Sequence, residues 1–554
     1  MRSSRSSSQT VRGNGAAPTL DCDVVVIGSG IGGAVCARPL VAAGLRVVMV
    51  ERGDWVPRDL SNRAPRGTLD LTPFLAADQS YRVLDGGPAR TARTCSCVGG
   101  QAVFFGGAML RYREADFAPP PVIVGDTGAE WPYRYSDLEP SYSAVEQLFD
   151  VAGAADQPGE PPRSHPYPQP PAPLSPVARR IGEAARSLGL HPSRLPLAIN
   201  HRPGPRRCTA CGSCDSYACA DGAKNNPASV LLPDLIARGL ELRPDTLAVR
   251  LAARSGRVTG VTCVDIRRRR LMTIRADAYV LAAGALATPH LLLASGLDRL
   301  NPGGHVVGRY LMRHCNAAVF GVFPRRLDGY DAFHKQLCIA DYCGGRCGAG
   351  PAGPLGVIQQ IHPPPAGLLR EMLGPLVGPV VCRLVPRMTG LVAISEDQPR
   401  AENRLTLDHR TRDDYGLPQA TIFHSYTARD LAARQALVEG ARAILRRAGA
   451  VLDYVHRIRT FSHAVGTVRM GVDPTSSALD GHGWFRGLDN LCVADASALP
   501  TSAGVNPALT IAAHALRVGQ HLTTTLVRES RHGRHTGRPP HPRVPRVRVG
   551  YPHP

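Results

Sequence analysis

Three glycines near the N-terminus have the spacing of a turn that holds a diphosphate group. Gly28, Gly30 and Gly33 form the pattern G-x-G-x-x-G, and Glu51 follows 18 residues after the last of them. In such a turn the first glycine permits a tight bend, the second lets a pyrophosphate approach the backbone, and the third lets a helix pack on a strand. An acid at this distance is placed to accept hydrogen bonds from an adenosine ribose. The spacing therefore predicts a dinucleotide site.

The segments around these glycines have the composition that such a site requires. Val24–Ile27 is a continuous apolar run, typical of a strand buried on both faces. Ile31–Ala43 has helical composition apart from Pro39, and Arg46–Val50 is a second apolar strand that ends before the acid. The alternative is a glycine-rich turn that only packs, but the complete strand–helix–strand pattern favours the dinucleotide site.

Similar elements recur far along the chain. Ala278–Gly284 predicts a buried strand that ends in glycine, and Asn490–Ala494 predicts another that is followed at once by Asp495. An acid at the carboxyl end of a parallel strand is well placed to reach a cofactor. A final helix is predicted over Pro507–Leu526. We therefore expect one discontinuous cofactor domain, with substrate-facing segments inserted between its parts.

Four cysteines form a second group whose spacing could do chemistry. Cys208, Cys211, Cys214 and Cys219 have the pattern C-x2-C-x2-C-x4-C. On spacing alone this pattern invites zinc or an iron–sulfur cluster. Small buried or structural thiols are the interpretation that we favour, so no metal is predicted.

The charge of the chain does not indicate a nucleic-acid partner. The net charge is +20, but residues 528–554 hold seven arginines against one acid, and the first twenty residues hold three more arginines. Both flanks, 1–20 and 528–554, are predicted to be disordered. No apolar run reaches the ~18–20 residues of a membrane span, and the Ser/Arg-rich N-terminus lacks the apolar core of a signal peptide. We therefore expect a cytoplasmic protein.

Several long motifs resemble the glucose–methanol–choline (GMC) oxidoreductases, which use FAD to oxidise alcohols. The segments that carry the resemblance are VGGQAVFFGGAMLRYREADF at Val98–Phe117, WPYRYSDLEPSY at Trp131–Tyr142, Leu281–Leu297, ENRLTLDHRTRDDYGLP at Glu402–Pro418, HAVGTVRMG at His463–Gly471 and NLCVADASALPTSAGVNPALT at Asn490–Thr510. Within the family, the segments Phe104–Arg113 and Pro196–Asn200 and the cysteine block that ends at Lys224 resemble actinobacterial enzymes of aminoglycoside biosynthesis, which oxidise a sugar 6'-hydroxyl.

The resemblance implies an α/β (α+β) fold of GMC type. A discontinuous Rossmann-like FAD-binding domain would comprise residues 21–110, 205–314 and 456–527. A substrate domain built on an antiparallel sheet would comprise residues 111–204 and 315–455. The cofactor-binding residues implied by the matched motifs, together with the first glycine turn, are Gly28, Gly30, Gly33, Glu51, Gly99, Gly100, Gly106, Asp495 and Ala496.

Two positions match the family's catalytic residues. His463 corresponds to the histidine over the reactive face of the flavin, where an imidazole can take the hydroxyl proton as hydride leaves. Asn506 corresponds to the second active-site position and can hold the substrate oxygen. The alternatives without a catalytic role are a buried, hydrogen-bonded core histidine at His463 and a helix cap at Asn506. Family members that tether FAD do so through a histidine in or near the glycine-rich segment. Val98–Arg113 contains no histidine, so the resemblance implies noncovalent FAD.

The predicted function is oxidation of an alcohol to an aldehyde or ketone, on a sugar or aminocyclitol intermediate, with oxygen or another electron acceptor. One alternative is a sterol or long-chain alcohol, which the apolar segment Leu368–Val381 would serve by lining a pocket or lid. A second alternative is an electron-relay subunit with an iron–sulfur cluster at Cys208–Cys219. A flavoprotein lyase on the same scaffold is a third, since fold does not fix chemistry.

Overall fold

The computed structural model describes residues 18–57, 75–212, 214–215, 217–329, 332–344, 350–364 and 366–531. The predicted flanks therefore lie mostly outside the described residues. The strands are β1 Thr19–Ile27, β2 Val47–Val50, β3 Leu75–Leu84, β4 Arg90–Cys95, β5 Pro192–Arg194, β6 Glu241–Arg243, β7 Thr246–Arg254, β8 Arg257–Asp265, β9 Arg270–Leu281, β10 Ala317–Val322, β11 Leu337–Ile339, β12 Gly356–Ile361, β13 Met388–Ser395, β14 Arg404–Arg412, β15 Pro418–Phe423, β16 Leu452–Arg457 and β17 Leu491–Val493. The α-helices are α1 Ile31–Ala42, α2 Pro121–Val124, α3 Tyr135–Leu148, α4 Pro176–Ser187, α5 Leu232–Ala237, α6 Gly284–Ala294, α7 Ala366–Leu384, α8 Ala428–Arg447 and α9 Ala508–Arg531.

A seven-stranded sheet carries the glycine turn. Its strand order is β6-β2-β1-β9-β8-β7, and β17 pairs with β9. The central strand β1 runs parallel to both β2 and β9, and its residues Val24–Ile27 are buried. A strand buried on both faces needs the unbroken apolar run that the sequence contains here. Since the strands come from three distant parts of the chain, the expected discontinuous α/β fold is confirmed.

A second sheet is antiparallel throughout its paired strands. Its order is β16-β10-β13-β12-β11-β5. Helices α4 and α8 pack on one face, where the residues that they bury form a continuous apolar core with the strands. That packing leaves the opposite face of the sheet toward the seven-stranded sheet and the candidate site. The architecture agrees with the expected substrate domain on an antiparallel sheet.

A smaller, four-stranded sheet joins two remote hairpins. Its order is β14-β15-β3-β4, with β15 parallel to β3. The sequence motifs place one hairpin in the first FAD-binding segment, 21–110, and the other in the substrate segment, 315–455. The exact domain boundaries therefore stay a proposal.

Several element boundaries differ from the sequence prediction. Strand β9 ends at Leu281, and helix α6 begins at Gly284, where the sequence predicts the end of the strand. Helix α9 continues to Arg531, so the first residues of the predicted tail are helical. The basic run Arg267–Arg270 follows strand β8, and its last residue, Arg270, is the first of the antiparallel strand β9.

The apolar segment Leu368–Val381 lies within helix α7, which is kinked at Gly374, where φ is 73°. Its apolar side chains include Leu376, which is 87% exposed, and Val380, which is 60% exposed. Exposure of this degree does not favour the interpretation that these two side chains line a closed pocket. Among the helices that the structure describes, none is both long and apolar enough to cross a membrane.

Candidate active site

The glycine turn has the geometry that its spacing predicts. Gly28 has φ of +106°, and a Cβ there would lie 2.4 Å from the carbonyl oxygen of Ala282. A Cβ on Gly33 would lie 2.0 Å from the carbonyl oxygen of Gly28, so this glycine lets α1 pack on β1. A Cβ on Gly30, in contrast, would meet only the Cα of Gly100, at 3.9 Å. The second glycine therefore borders open space, where a diphosphate can approach the backbone.

Glu51 stands directly after β2 and is buried. Its Oε2 accepts hydrogen bonds from Ser29 N at 3.0 Å and Ser29 Oγ at 2.7 Å, and its Oε1 accepts one from Gly53 N at 3.0 Å. Burial raises the pKa of this carboxyl, although the same hydrogen bonds oppose the rise. The side chain thus holds the glycine turn in place, and its contact with a ribose stays a prediction.

A second pair of glycines, Gly99 and Gly100, lies against the first turn, and the two segments together are called the glycine cradle. Gly99 N donates a hydrogen bond to Ser29 Oγ at 3.0 Å. Gly99 and Gly100 both have positive φ, of +93° and +61°, and a Cβ on Gly100 would lie 2.8 Å from the Cα of Gly30. The two glycine segments therefore lie against each other through backbone atoms, with no side chain between Gly30 and Gly100. This arrangement fits a flavin dinucleotide, whose diphosphate needs close approach to the backbone.

Asp495 lies at the carboxyl end of β17, as predicted. Its two carboxylate oxygens accept hydrogen bonds from Gly284 N at 2.8 Å, Thr288 Oγ1 at 2.5 Å, Ser497 N at 2.8 Å and Ser497 Oγ at 2.6 Å. The neighbouring Ala496 accepts one from Gly466 N through its carbonyl oxygen. Asp495 therefore ties α6 to the loop after β17, and a direct contact of either residue with FAD stays a prediction.

His463 lies beside a second histidine that the sequence motifs do not indicate. The Nδ1 atoms of His463 and His314 are 2.9 Å apart. His314 is fully buried, and its Nε2 lies 3.1 Å from the carbonyl oxygen of Ser502 and 2.8 Å from that of Ala503. Burial lowers the pKa of His314 to about 4. Burial, together with the neighbouring His314 and Lys335, lowers the pKa of His463 to about 3. Both rings are therefore neutral at physiological pH.

The carbonyl partners decide which nitrogen carries each proton. A carbonyl oxygen only accepts, so the single proton of neutral His314 must be on Nε2. Nδ1 of His314 is then an acceptor, and the proton between the two rings belongs to Nδ1 of His463. Nε2 of His463 is consequently unprotonated. This atom is an acceptor, which is the state that a general base requires.

Asn506 faces Nε2 of His463. Its Nδ2 lies 3.4 Å from Nε2 of His463, and its Oδ1 accepts a hydrogen bond from Gln359 Nε2 at 2.7 Å. Helix α9 begins at Ala508, and the side chain of Asn506 contacts Gln359 of β12 and His463. The structure thus joins four side chains in one directional series of hydrogen bonds, namely Gln359, Asn506, His463 and His314.

Comparison with known proteins identifies the fold that carries this site. The model of the GMC oxidoreductase family matches residues 8–316 and 399–515. The chain belongs to the GMC oxidoreductase family. Curated relatives of this GMC oxidoreductase include paromamine 6'-oxidase of Streptomyces fradiae, 34% identical with 93% of each chain covered. Another is 6'''-hydroxyparomomycin C oxidase of Streptomyces lividus, 34% identical over 91% of this chain and 92% of that protein.

Solved structures show the same fold. Pyridoxine 4-oxidase from Mesorbium loti has a TM-score of 0.63 at 19% identity and covers 93% of this chain and 100% of its own. Formate oxidase of Aspergillus oryzae RIB40, a protein studied for modification of its FAD, has a TM-score of 0.63 at 14% identity over 92% and 99% of the two chains. FAD is the cofactor of this GMC oxidoreductase, and the glycine cradle fits it.

The cysteine cluster of the GMC oxidoreductase lies on a loop near the site. Cys211 is exposed, and Cys208, Cys214 and Cys219 are half-buried. Burial raises the pKa of Cys208 to about 11. Across the described ranges, no group of three or more His, Cys, Asp or Glu side chains is arranged to hold a metal ion.

Lys224 fixes this loop against the glycine-rich segment. It is almost completely buried, and burial lowers its pKa. Its Nζ donates hydrogen bonds to the carbonyl oxygens of Phe105 at 2.8 Å, Cys214 at 2.7 Å and Tyr217 at 2.6 Å. Lys224 thus closes the cysteine block on the segment expected beside the flavin.

Gly106 contacts side chains rather than open space. A Cβ there would lie 2.1 Å from Asp215 Oδ1 and 2.8 Å from Lys335 Nζ. Its role as a flavin contact stays a prediction. Sequence reasoning missed Asp215, Lys335, His314 and Gln359. The one available signal was that Lys224 and Lys335 are the only lysines in the chain.

Proposed function

We propose that this enzyme oxidises a CH–OH group of a sugar or aminocyclitol intermediate to an aldehyde or ketone. The observation that carries the proposal is the acceptor state of His463 Nε2, which is fixed by the hydrogen bonds of His314. The two relatives at 34% identity are named for oxidation of paromamine and of a hydroxyparomomycin. Their names support an aminoglycoside-type intermediate of natural-product biosynthesis as the substrate class.

His463 and Asn506 divide the work on the substrate hydroxyl group. Nε2 of His463 accepts the hydroxyl proton, because its Nδ1 already carries one and donates it to His314. The Nδ2 group of Asn506 lies next to that nitrogen and donates to the substrate oxygen, which holds the C–H bond in place. FAD, when bound, supplies the hydride acceptor at N5. A positioned base of this kind contributes about 10²–10⁴-fold to the rate.

We propose further that FAD is held noncovalently. Family members that tether FAD use a histidine in or near the glycine-rich segment, and Val98–Arg113 contains none. Oxygen or another electron acceptor then takes the electrons. The setting is proposed to be cytoplasmic, with a small-molecule alcohol as the partner.

The contents of the site support a polar substrate over a sterol or long-chain alcohol. Asp215 and Lys335 form an ion pair close to the candidate base, and covering a charged pair with an apolar ligand would be unfavourable. The exposed apolar side chains of α7 point to solvent.

Anaerobic flavin reduction tests the proposed function. The purified holoenzyme is mixed under nitrogen with paromamine, 1-hexanol or cholesterol, and absorbance near 450 nm is followed. We expect paromamine to bleach the flavin and to yield an aldehyde detectable by mass spectrometry. Bleaching by 1-hexanol or cholesterol alone would contradict the substrate class, and an unreduced flavin with all alcohols offered would contradict alcohol oxidation itself.

A further inference from the structure

Three titratable side chains form a cluster beside the base without taking part in its hydrogen-bond series. Asp215 lies on the cysteine-rich loop, and His334 and Lys335 immediately precede the substrate-domain strand β11. The Oδ2 atom of Asp215 accepts a hydrogen bond from His334 Nε2 and lies 3.1 Å from Lys335 Nζ. The side chains of His334 and Lys335 are each 7% exposed, whereas that of Asp215 is 29% exposed. The cluster is therefore buried on one side and open at the carboxylate.

The backbone of the glycine-rich segment makes room for this cluster. Asp215 Oδ1 and Lys335 Nζ occupy the space that a side chain at position 106 would fill. Any residue larger than glycine there would displace both groups. The ion pair is thus placed against the segment that the family motif puts beside the flavin.

The same cluster lies close to the proton-transfer residues. Strand β11 pairs with β12 so that Cys338 is opposite Gln359, and Gln359 donates its hydrogen bond to Asn506. The charges of Lys335 and Asp215 also affect the pKa of His463, which Lys335 lowers and Asp215 raises. The cluster therefore lies close enough to the base to change its pKa.

Two acceptor atoms, one on Asp215 of the cluster and one on Gln359 of β12, have no hydrogen-bond donor among the described residues. Within the part of the chain that the structure describes, Asp215 Oδ1 accepts no hydrogen bond. Gln359 is fully buried, and its Oε1 has no partner among the described residues. A buried polar atom without a partner is unfavourable, so a ligand that donates to it is favoured. The unused carboxylate oxygen beside the ammonium group of Lys335 matches a ligand with hydroxyl groups, each of which donates and accepts.

We propose that Asp215 and Lys335 bind a ring hydroxyl group next to the reacting CH–OH group of a polyhydroxylated substrate. Asp215 Oδ1 accepts the proton of that hydroxyl group, and Lys335 Nζ donates to its oxygen. His334 is a positioning residue that fixes the carboxylate through Oδ2. The inference rests on the proposed function, and it assigns specificity for polyols to the contact between the cysteine-rich loop and β11.

The test compares two substrates that differ in one hydroxyl group. Paromamine and its 4'-deoxy analogue are each mixed anaerobically with the holoenzyme, and the concentration dependence of flavin reduction gives a dissociation constant and a limiting rate. The variants are Asp215→Ala, the size-conserving Asp215→Asn, and Lys335→Met. Asp221→Asn, a carboxylate on the same loop that bonds Thr209 instead, is the matched control.

We expect Asp215→Ala to raise the dissociation constant of paromamine about 10- to 100-fold, as for the loss of a hydrogen bond to a charged group. The wild type should bind the 4'-deoxy analogue more weakly by a similar factor, and Asp215→Ala should then add little. Lys335→Met should likewise bind paromamine and its 4'-deoxy analogue with nearly equal dissociation constants. Asp221→Asn should distinguish the two substrates as the wild type does. FAD content and the visible spectrum of each variant verify that the site is intact.

The possible results distinguish a failure of this inference from a failure of the proposed function. If paromamine reduces the flavin but Asp215→Ala and Asp215→Asn bind both substrates as the wild type does, the inference is wrong and the proposed function stands. If 1-hexanol reduces the flavin and polyols do not, alcohol oxidation stands but polyol recognition is overturned. If the flavin is reduced by none of these alcohols, both proposals are overturned.

Discussion

The Nδ1 atoms of His314 and His463 lie 2.9 Å apart, with the two ring planes at 88°. One proton lies between them, and it belongs to His463 because His314 has committed its own to the carbonyl oxygens of Ser502 and Ala503. His314 thus determines which nitrogen of the neighbouring ring faces the substrate. A ring 149 positions away in the chain therefore sets the state of the base.

Replacing His314 should slow the chemistry without weakening substrate binding. In His314→Phe the Nδ1–H of His463 loses its acceptor, and we expect the limiting rate of flavin reduction to fall about 10- to 100-fold. His314→Asn retains an acceptor oxygen and should recover part of the rate. Stopped-flow reduction over a range of alcohol concentrations separates the rate from the dissociation constant. A full limiting rate in His314→Phe would refute the positioning role.

The pH dependence of flavin reduction should lack an acidic limb near pH 6.5. A neutral imidazole is required, and since the pKa of His463 is lowered to about 3, the ring stays neutral as the pH falls from 8 to about 5. Lys335 contributes to this lowering, so Lys335→Met should raise the pKa and move the acidic limb to higher pH. The limiting rate measured at half-unit intervals checks both statements. A limb near pH 6.5 in the wild type would contradict the first.

The glycine cradle gives a prediction for FAD retention. Gly100 has φ of +61°, and a Cβ would lie 2.8 Å from the Cα of Gly30, so Gly100→Ala should force the two segments apart and lower the FAD-to-protein ratio. Gly86→Ala is the matched control, because Gly86 also has positive φ, of +81°, but a Cβ there meets nothing within 4 Å. The absorbance ratio at 450 and 280 nm measures retention. Equal FAD content in the two variants would contradict the cradle.

The cysteine cluster should hold no stoichiometric metal. Lys224 secures the loop through the backbone carbonyl oxygens of Cys214 and Tyr217, so the loop does not depend on a metal for its position. Protein purified anaerobically should therefore contain far less than one iron or zinc per chain by elemental analysis. One equivalent of either metal, lost together with the Cys208→Ser substitution, would reverse this assignment.

Local patterns in the sequence predicted the first half of the cofactor site. Strand β1, the glycine turn, α1 and β2 follow one another within about thirty residues, so their periodicity and spacing determine the geometry. The predicted helix Ile31–Ala43 and the observed Ile31–Ala42 differ by one residue. The motif resemblance likewise located His463 and Asn506, which the structure brings within hydrogen-bond distance.

The remaining site residues come together only through tertiary contacts. Asp215 and His334 are 119 positions apart, and Gln359 and Asn506 are 147 positions apart. Neither pair has a local signature, because the partners lie on a loop, a strand and a helix terminus from different segments. The composition of Leu368–Val381 suggests the lining of a pocket or lid, and the exposure of Leu376 and Val380 in the fold argues only against their lining a closed pocket.

The most direct test of the account is anaerobic reduction of the flavin in His463→Ala. The variant should bind FAD with an unchanged visible spectrum, since the described cradle residues remain. Its limiting rate of reduction by the alcohol that reduces the wild type should fall by about 10²–10⁴. A variant that is bleached by that alcohol at the wild-type rate would show that another group takes the proton.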